Sequence, residues 1–138
     1  MYLYLSWKDS IETHPFNQAN DFIVDLPKTL RLEGSWEVAL TDVKIKSTKK
    51  ASFYLLVDFC EENFLGGSQY PVLRRVDEKS TNYPFPYFVK TTKSELQSIR
   101  VSLLDQSLKP FQLSDIDCVL NLRRKNEGPK GLQALEAY

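Results

Sequence analysis

Residues 98 to 124 hold two runs, Ser98-Ile99-Arg100-Val101-Ser102-Leu103-Leu104 and Asp117-Cys118-Val119-Leu120-Asn121-Leu122-Arg123-Arg124, with a polar connection between them. In the first, Ile99, Val101 and Leu103 share one face. In the second, Cys118, Leu120 and Leu122 share one face and Asp117, Val119, Asn121 and Arg123 the other. Side chains of an extended chain alternate with period two, so each run predicts a strand with one greasy face. The connection holds Asp105-Gln106-Ser107-Leu108-Lys109-Pro110-Phe111 and reads as a turn and a long loop.

The same pattern recurs upstream. Tyr2 to Trp7 alternates with aromatics on both faces, as a strand buried on two sides does. Phe22, Val24 and Leu26 alternate with Asp21, Ile23 and Asp25 until Pro27 stops the run. Leu30, Leu32 and the turn at Glu33-Gly34 lead into Trp36-Glu37-Val38-Ala39-Leu40. The phase shifts near Asp42, so that Val43 and Ile45 stand between lysines, which predicts a bulge or a sharp bend. Phe53, Leu55, Val57 and Phe59 line one face of a further run. Gly66-Gly67-Ser68 marks a turn. The stretches 70–76 and 83–89 are strand candidates pushed toward edges by Pro71, Pro84 and Pro86. At most a turn of helix fits near 92–97.

The pattern gives about eight strands and no amphipathic helix long enough for an α/β fold, so the predicted class is all-β: a two-sheet antiparallel sandwich, a single jelly roll. At 138 residues one domain is expected, over 1–125, with 126–138 as a C-terminal tail or arm. The tail opens on the breaker Gly128-Pro129, and its Leu132-Gln133-Ala134-Leu135 suits a short helix or a flexible arm.

Composition narrows the function. Eighteen basic and 18 acidic residues cancel. Gripping nucleic acid draws most of its affinity from a basic excess, which is missing here, and low net charge permits close self-association. No stretch has the length of a membrane span, and the first residues lack the basic start and apolar centre of a signal peptide. No Asn-x-Ser/Thr acceptor occurs. Folding in a cytosol or nucleus follows as the simplest expectation.

Catalytic chemistry finds little to work with. His14 is the only histidine, it stands beside Pro15, and no Cys or His pair has ligand spacing, so it reads as a loop residue. No nucleophile elbow accompanies it. Cys60 and Cys118 fall in strand patterns and read as buried free thiols, with a disulfide between neighbouring strands or a reactive thiol as the alternatives. Glu61-Glu62 and Asp77-Glu78 are adjacent carboxylates, which in a strand diverge to opposite faces; they read as solvated loop residues. The glycine turn lacks the lysine of a phosphate loop. Two basic clusters, at 46–50 and at Arg123-Arg124-Lys125, read as solvated strand ends, with weak contact to packaged nucleic acid or to acidic residues on a neighbouring subunit as the alternatives. The aromatics, at alternating positions, read as filling for the sandwich. No catalytic residue, cofactor or metal is expected, and the chain is not read as an enzyme.

Two stretches carry a resemblance. One is Pro15-x-Asn17, then Asn20-Asp21-Phe22-x-Val24-x-Leu26-Pro27, then Leu30-x-Leu32-Glu33-Gly34-x-Trp36-Glu37-Val38-Ala39-Leu40. The other is Ile99-x-Val101-x-Leu103-Leu104-Asp105, with Pro110-Phe111 and Val119-x-Asn121-Leu122-Arg123-Arg124 after it. Their order resembles the small capsid-like proteins of Polinton-type elements, adintoviruses and adomaviruses. The resemblance implies a penton-like, single jelly-roll subunit in the virion, assembled in the host cytoplasm or nucleus. Its partners would be itself, as a homopentamer, and a major capsid protein. Assembly contacts are expected at the arm holding Trp7, His14, Pro15 and Phe16, at Arg123 and Arg124, and in the tail at Leu132, Leu135 and Tyr138. A cement or spike-base protein of the same fold and a β-sandwich ligand-binding module are the competing expectations.

Overall fold

A computed structural model describes residues 1–49 and 52–125. The tail, with Leu132, Leu135 and Tyr138, and the Lys50 end of one basic cluster lie outside them. The protein is an all-β antiparallel sandwich. Its strands are β1 (Tyr2–Ser6), β2 (Asp21–Arg31), β3 (Trp36–Lys46), β4 (Phe53–Val57), β5 (Asn63–Leu65), β6 (Ser68–Tyr70), β7 (Val72–Val76), β8 (Ser80–Asn82), β9 (Val89–Lys90), β10 (Glu95–Leu104) and β11 (Asp115–Arg124). A four-residue helix α1 (Trp7–Ser10) follows β1.

One sheet has the order β1-β11-β3-β8, with β9 also on β3, and the other has the order β2-β10-β4-β7. The two runs that opened the reading, β10 and β11, therefore occupy central places, one in each sheet. Their greasy faces meet: Ile99, Val101, Leu103, Leu120 and Leu122 are fully buried. Phe22, Val38, Leu40, Leu55, Val57 and Phe59 close around them in one core cluster. Phe53 and Phe111 stack in it with ring centroids 4.9 Å apart.

The phase shift near Asp42 is a bulge. The register of β11 on β3 passes from Val119↔Asp42 to Leu120↔Leu40, leaving Thr41 unpaired in the ladder. Its Oγ1 donates to the Val119 carbonyl at 3.0 Å. The extra residue lets both Val38–Leu40 and Val43–Ile45 turn inward.

Elsewhere the strands depart from the expectation. Pro27 does not stop its run: β2 continues through it to Arg31, because β2 is an edge strand and proline's missing N–H is harmless on an open side. The register of β10 shifts beside it, between Leu96 and Ser98. β1 is not buried on two sides; it too is an edge, with Tyr2 and Tyr4 exposed. Trp7 leaves the strand and opens α1. Residues 70–76 form two strands split at Pro71, and only the last residue of 83–89 is in a strand, β9. The stretch 92–97, where at most a turn of helix fits, holds none, and β10 begins within it at Glu95. These breaks, with the β5–β6 hairpin, raise about eight expected strands to eleven among the described residues. The hairpin turns on Gly66 and Gly67, both at positive φ, and its tip abuts Leu108: a Cβ on Gly66 would stand 2.5 Å from that side chain.

Candidate assembly surfaces

The loop between α1 and β2 is fastened from within. Ser10 Oγ donates to the Trp7 carbonyl at 2.7 Å, and the His14 amide donates to the Ser10 carbonyl at 2.9 Å. Asn17 ties loop to strand, giving its amide to Ser10 Oγ (3.0 Å) and the Ile23 carbonyl (2.9 Å) and accepting from the Ile23 amide (3.2 Å). Trp7 is half-buried against the core and donates its indole N–H to the Asn17 carbonyl at 3.2 Å. Its ring holds the loop down.

What the loop presents outward is its tip. Pro15 is exposed and Phe16 is 96% exposed, while His14 Nε2 lies 2.9 Å from Asp25 Oδ2. An open cleft of about 560 Å³ lies beneath, lined by His14, Phe16, Asn17, Asp21, Ile23 and Arg100. Arg100 grips Asp21 with two parallel bonds, Nε to Oδ1 at 2.8 Å and Nη2 to Oδ2 at 2.7 Å. The hydrogen bond from Arg100 holds the Asp21 carboxyl below the usual carboxylate range, against the opposite pull of burial. Within the cleft the charges of Arg100 and Asp21 offset each other.

Arg123 and Arg124 stand well away from that loop. From Asp117, opposite Ser6, to Arg124 is seven residues of strand, about 23 Å. Arg123 donates to Glu37 at 3.1 Å and lies 3.4 Å over the Phe88 ring. Arg124 packs beside Gly34, whose φ of +88° and close approach (a Cβ would meet Nη2 at 2.9 Å) suit glycine alone. The structure thus brings Trp7, His14, Pro15 and Phe16 together and keeps the two arginines apart from them.

A second surface escaped the sequence reading. Tyr83-Pro84-Phe85-Pro86-Tyr87-Phe88 bridges β8 and β9 without pairing as a strand, and Phe85 (91%) and Tyr87 (69%) stand in solvent. Tyr83 turns inward under Arg74, whose guanidinium sits 3.7 Å over the ring. The buried Arg74 Nη1 has no hydrogen-bond partner among the described residues, and the face of that ring takes its place. Tyr87 shares a cleft of about 360 Å³ with Asn63, Val72, Arg74 and Arg75. The readable signal was proline at alternate positions, which denies the segment a ladder and leaves its aromatics with no sheet to fill.

The acidic pairs Glu61-Glu62 and Asp77-Glu78 are exposed. Cys60 and Cys118 are buried free thiols, both pushed up to about 12 by burial. Among the described residues no group of three His, Cys, Asp or Glu could hold a metal ion, and no helix is long and apolar enough to cross a membrane. No protein-family model matches the chain, and no similar curated protein or solved structure was found.

Proposed function

We propose that this protein is a structural subunit of a capsid-like shell, acting by association with its own copies and with a companion shell protein. One observation carries the reading: β1 pairs β11, β2 pairs β10, β3 pairs β8 and β9, and β4 pairs β7. Nested pairing of this kind, one long hairpin whose successive arms alternate between two sheets, supports reading the sandwich as a jelly roll. Such a roll leaves sheet edges and loops open to neighbours. Here exposed aromatics stand on the loops, at Phe16, Phe85 and Tyr87, and on the β5–β6 hairpin, at Phe64, and aromatic rings are favoured at the centres of protein interfaces.

The finer reading is the vertex subunit, a ring of five closed by a head-to-tail contact. Mass in solution by light scattering, with imaging of particles that contain the protein, tests it. A pentamer, or density at five-fold positions, supports the vertex. A monomer or trimer bound to the outside of the shell supports the cement or spike-base alternative. A monomer that never joins a particle sinks the shell reading. The open cleft under Phe16 favours a second reading, a ligand-binding module: saturable binding by the monomer, lost in Phe16→Ala, would establish it.

A further inference from the structure

The cleft of about 360 Å³ beside Tyr87 lies where β7, the last strand of one sheet, meets β9, which borders β3 in the other. Val72 and the buried Val89 line it, and Arg74 and Arg75 supply its positive charge. The two arginines differ. Arg75 has a counterion, with Asp77 Oδ1 3.2 Å from its Nε. Arg74 is half-buried and takes part in no ion pair among the described residues. Stacking on Tyr83 engages the face of its guanidinium, whereas the N–H donors lie in the plane, and Nη1 is buried without a partner. A half-buried cation with no counterion, set beside apolar walls, calls for a carboxylate carried next to an apolar side chain.

The chain carries such a pair close by. The Lys125 amide donates to the Ser35 carbonyl, so the chain leaves the described fold in the row of Ser35. Leu122, Val38 and Val89 form the row three residues further along β3. From Lys125 to the Val89 wall is therefore two strand spacings across and three residues along, about 14 Å. Ten residues separate Lys125 from Leu135, and a chain of that length averages about 17 Å end to end. The tether matches the gap, which is the condition for the highest effective concentration. Charge agrees as well: positions 126–138 hold Glu127 and Glu136 against the single Lys130. Glu127 stands between Asn126 and Gly128, with nothing apolar beside it, whereas Glu136 stands between Leu135 and Ala137.

We propose that the chain's own segment Leu135-Glu136-Ala137 docks in this cleft, with Glu136 against Arg74 and Leu135 against Val72 and Val89. The docking is independent of the shell reading, and it gives Leu135 a role within one molecule in place of a contact between subunits.

The test uses the full chain with cysteine pairs equilibrated in a glutathione redox buffer. One pair is Tyr87→Cys with Leu135→Cys, and the control is Lys90→Cys with Leu135→Cys. Tyr87 and Lys90 are both exposed, but Lys90 pairs with Glu37, one row nearer the exit than Val89, and lies outside the cleft. Tethering alone favours position 90, and docking favours position 87. The native cysteines are buried and should not interfere. The disulfide within one molecule should form at position 87 with at least about tenfold the effective concentration found at position 90. Adding Glu136→Lys, which leaves the described fold untouched, should abolish that excess. Equal values at the two positions, or an excess that Glu136→Lys does not reduce, overturns the docking. A disulfide found only between copies gives the cleft to a neighbour's tail and overturns docking within the chain.

Discussion

Replacing Phe111 by alanine tests whether the long connection between β10 and β11 belongs to the core. The ring is 1% exposed, stacks on Phe53 at 4.9 Å, and sits on a backbone held at both faces: its amide donates to the Leu103 carbonyl at 3.0 Å and its carbonyl accepts from Asn20 at 3.1 Å. Those bonds hold the site open after truncation, so the cavity will not collapse fully. A buried Phe→Ala change then costs about 3–5 kcal/mol. Contact between the two rings accounts for about 1 kcal/mol beyond their buried area. The double variant with Phe53→Ala should therefore lose about 1 kcal/mol less than the sum of the single losses. Urea unfolding of the four proteins, with the slope m checked for constancy, measures all of this. A Phe111→Ala loss under about 1 kcal/mol, or strict additivity, refutes the placement of that ring against β4.

Three further outcomes follow from the same geometry. Asn17→Ala removes the bonds that fasten the α1–β2 loop to Ile23; it should cost about 1–3 kcal/mol and speed hydrogen exchange at the Ile23 amide, and unchanged exchange there would refute the role. Because Arg100 holds the folded-state carboxyl of Asp21 below its ordinary value of 3.8, that pair adds stability present above this pH and lost as pH falls through the lower folded value. Arg100→Met should flatten the acid limb of the stability curve below about pH 4, and an unaltered limb would show the pair to be inert. Cys60 and Cys118, pushed up to about 12 by burial, should resist thiol reagents at neutral pH and both react once the chain is unfolded; fast labelling of the native protein would contradict their burial.

What the sequence revealed and what it hid divide along a physical line. Positions whose environment is the core were legible, because burial of one face imposes period two: Ile99, Val101 and Leu103, or Cys118, Leu120 and Leu122, are buried as the alternation predicts. The bulge at Thr41 was legible for the same reason, since an inserted residue must slip the phase. Edge strands obey a weaker rule. β1 carries aromatics on alternate positions whether or not a second layer covers them, so Tyr2 and Tyr4 looked like core. Pro27 looked like a stop because local propensity does not say which side of a strand faces open space. In the candidate surfaces, the Trp7–Phe16 loop could be located but not divided into its holding part, Trp7 and Asn17, and its displayed part, Pro15 and Phe16. That division depends on contacts between residues several positions apart, which periodicity does not encode.

The distribution of guards on the edges gives the surface a logic that the core lacks. A neutral chain has little long-range repulsion to keep copies apart, so its solubility rests on local devices. Charges and prolines stand on three edges, where unplanned strand pairing would begin. β1, reading Tyr-Leu-Tyr-Leu without charge or proline, lacks such a guard, as do the two short strands of the β5–β6 hairpin. The exposed apolar surfaces open to a neighbour are thus the bare β1 edge, the β5–β6 hairpin with Phe64, and the loops that carry Phe16 and Phe85.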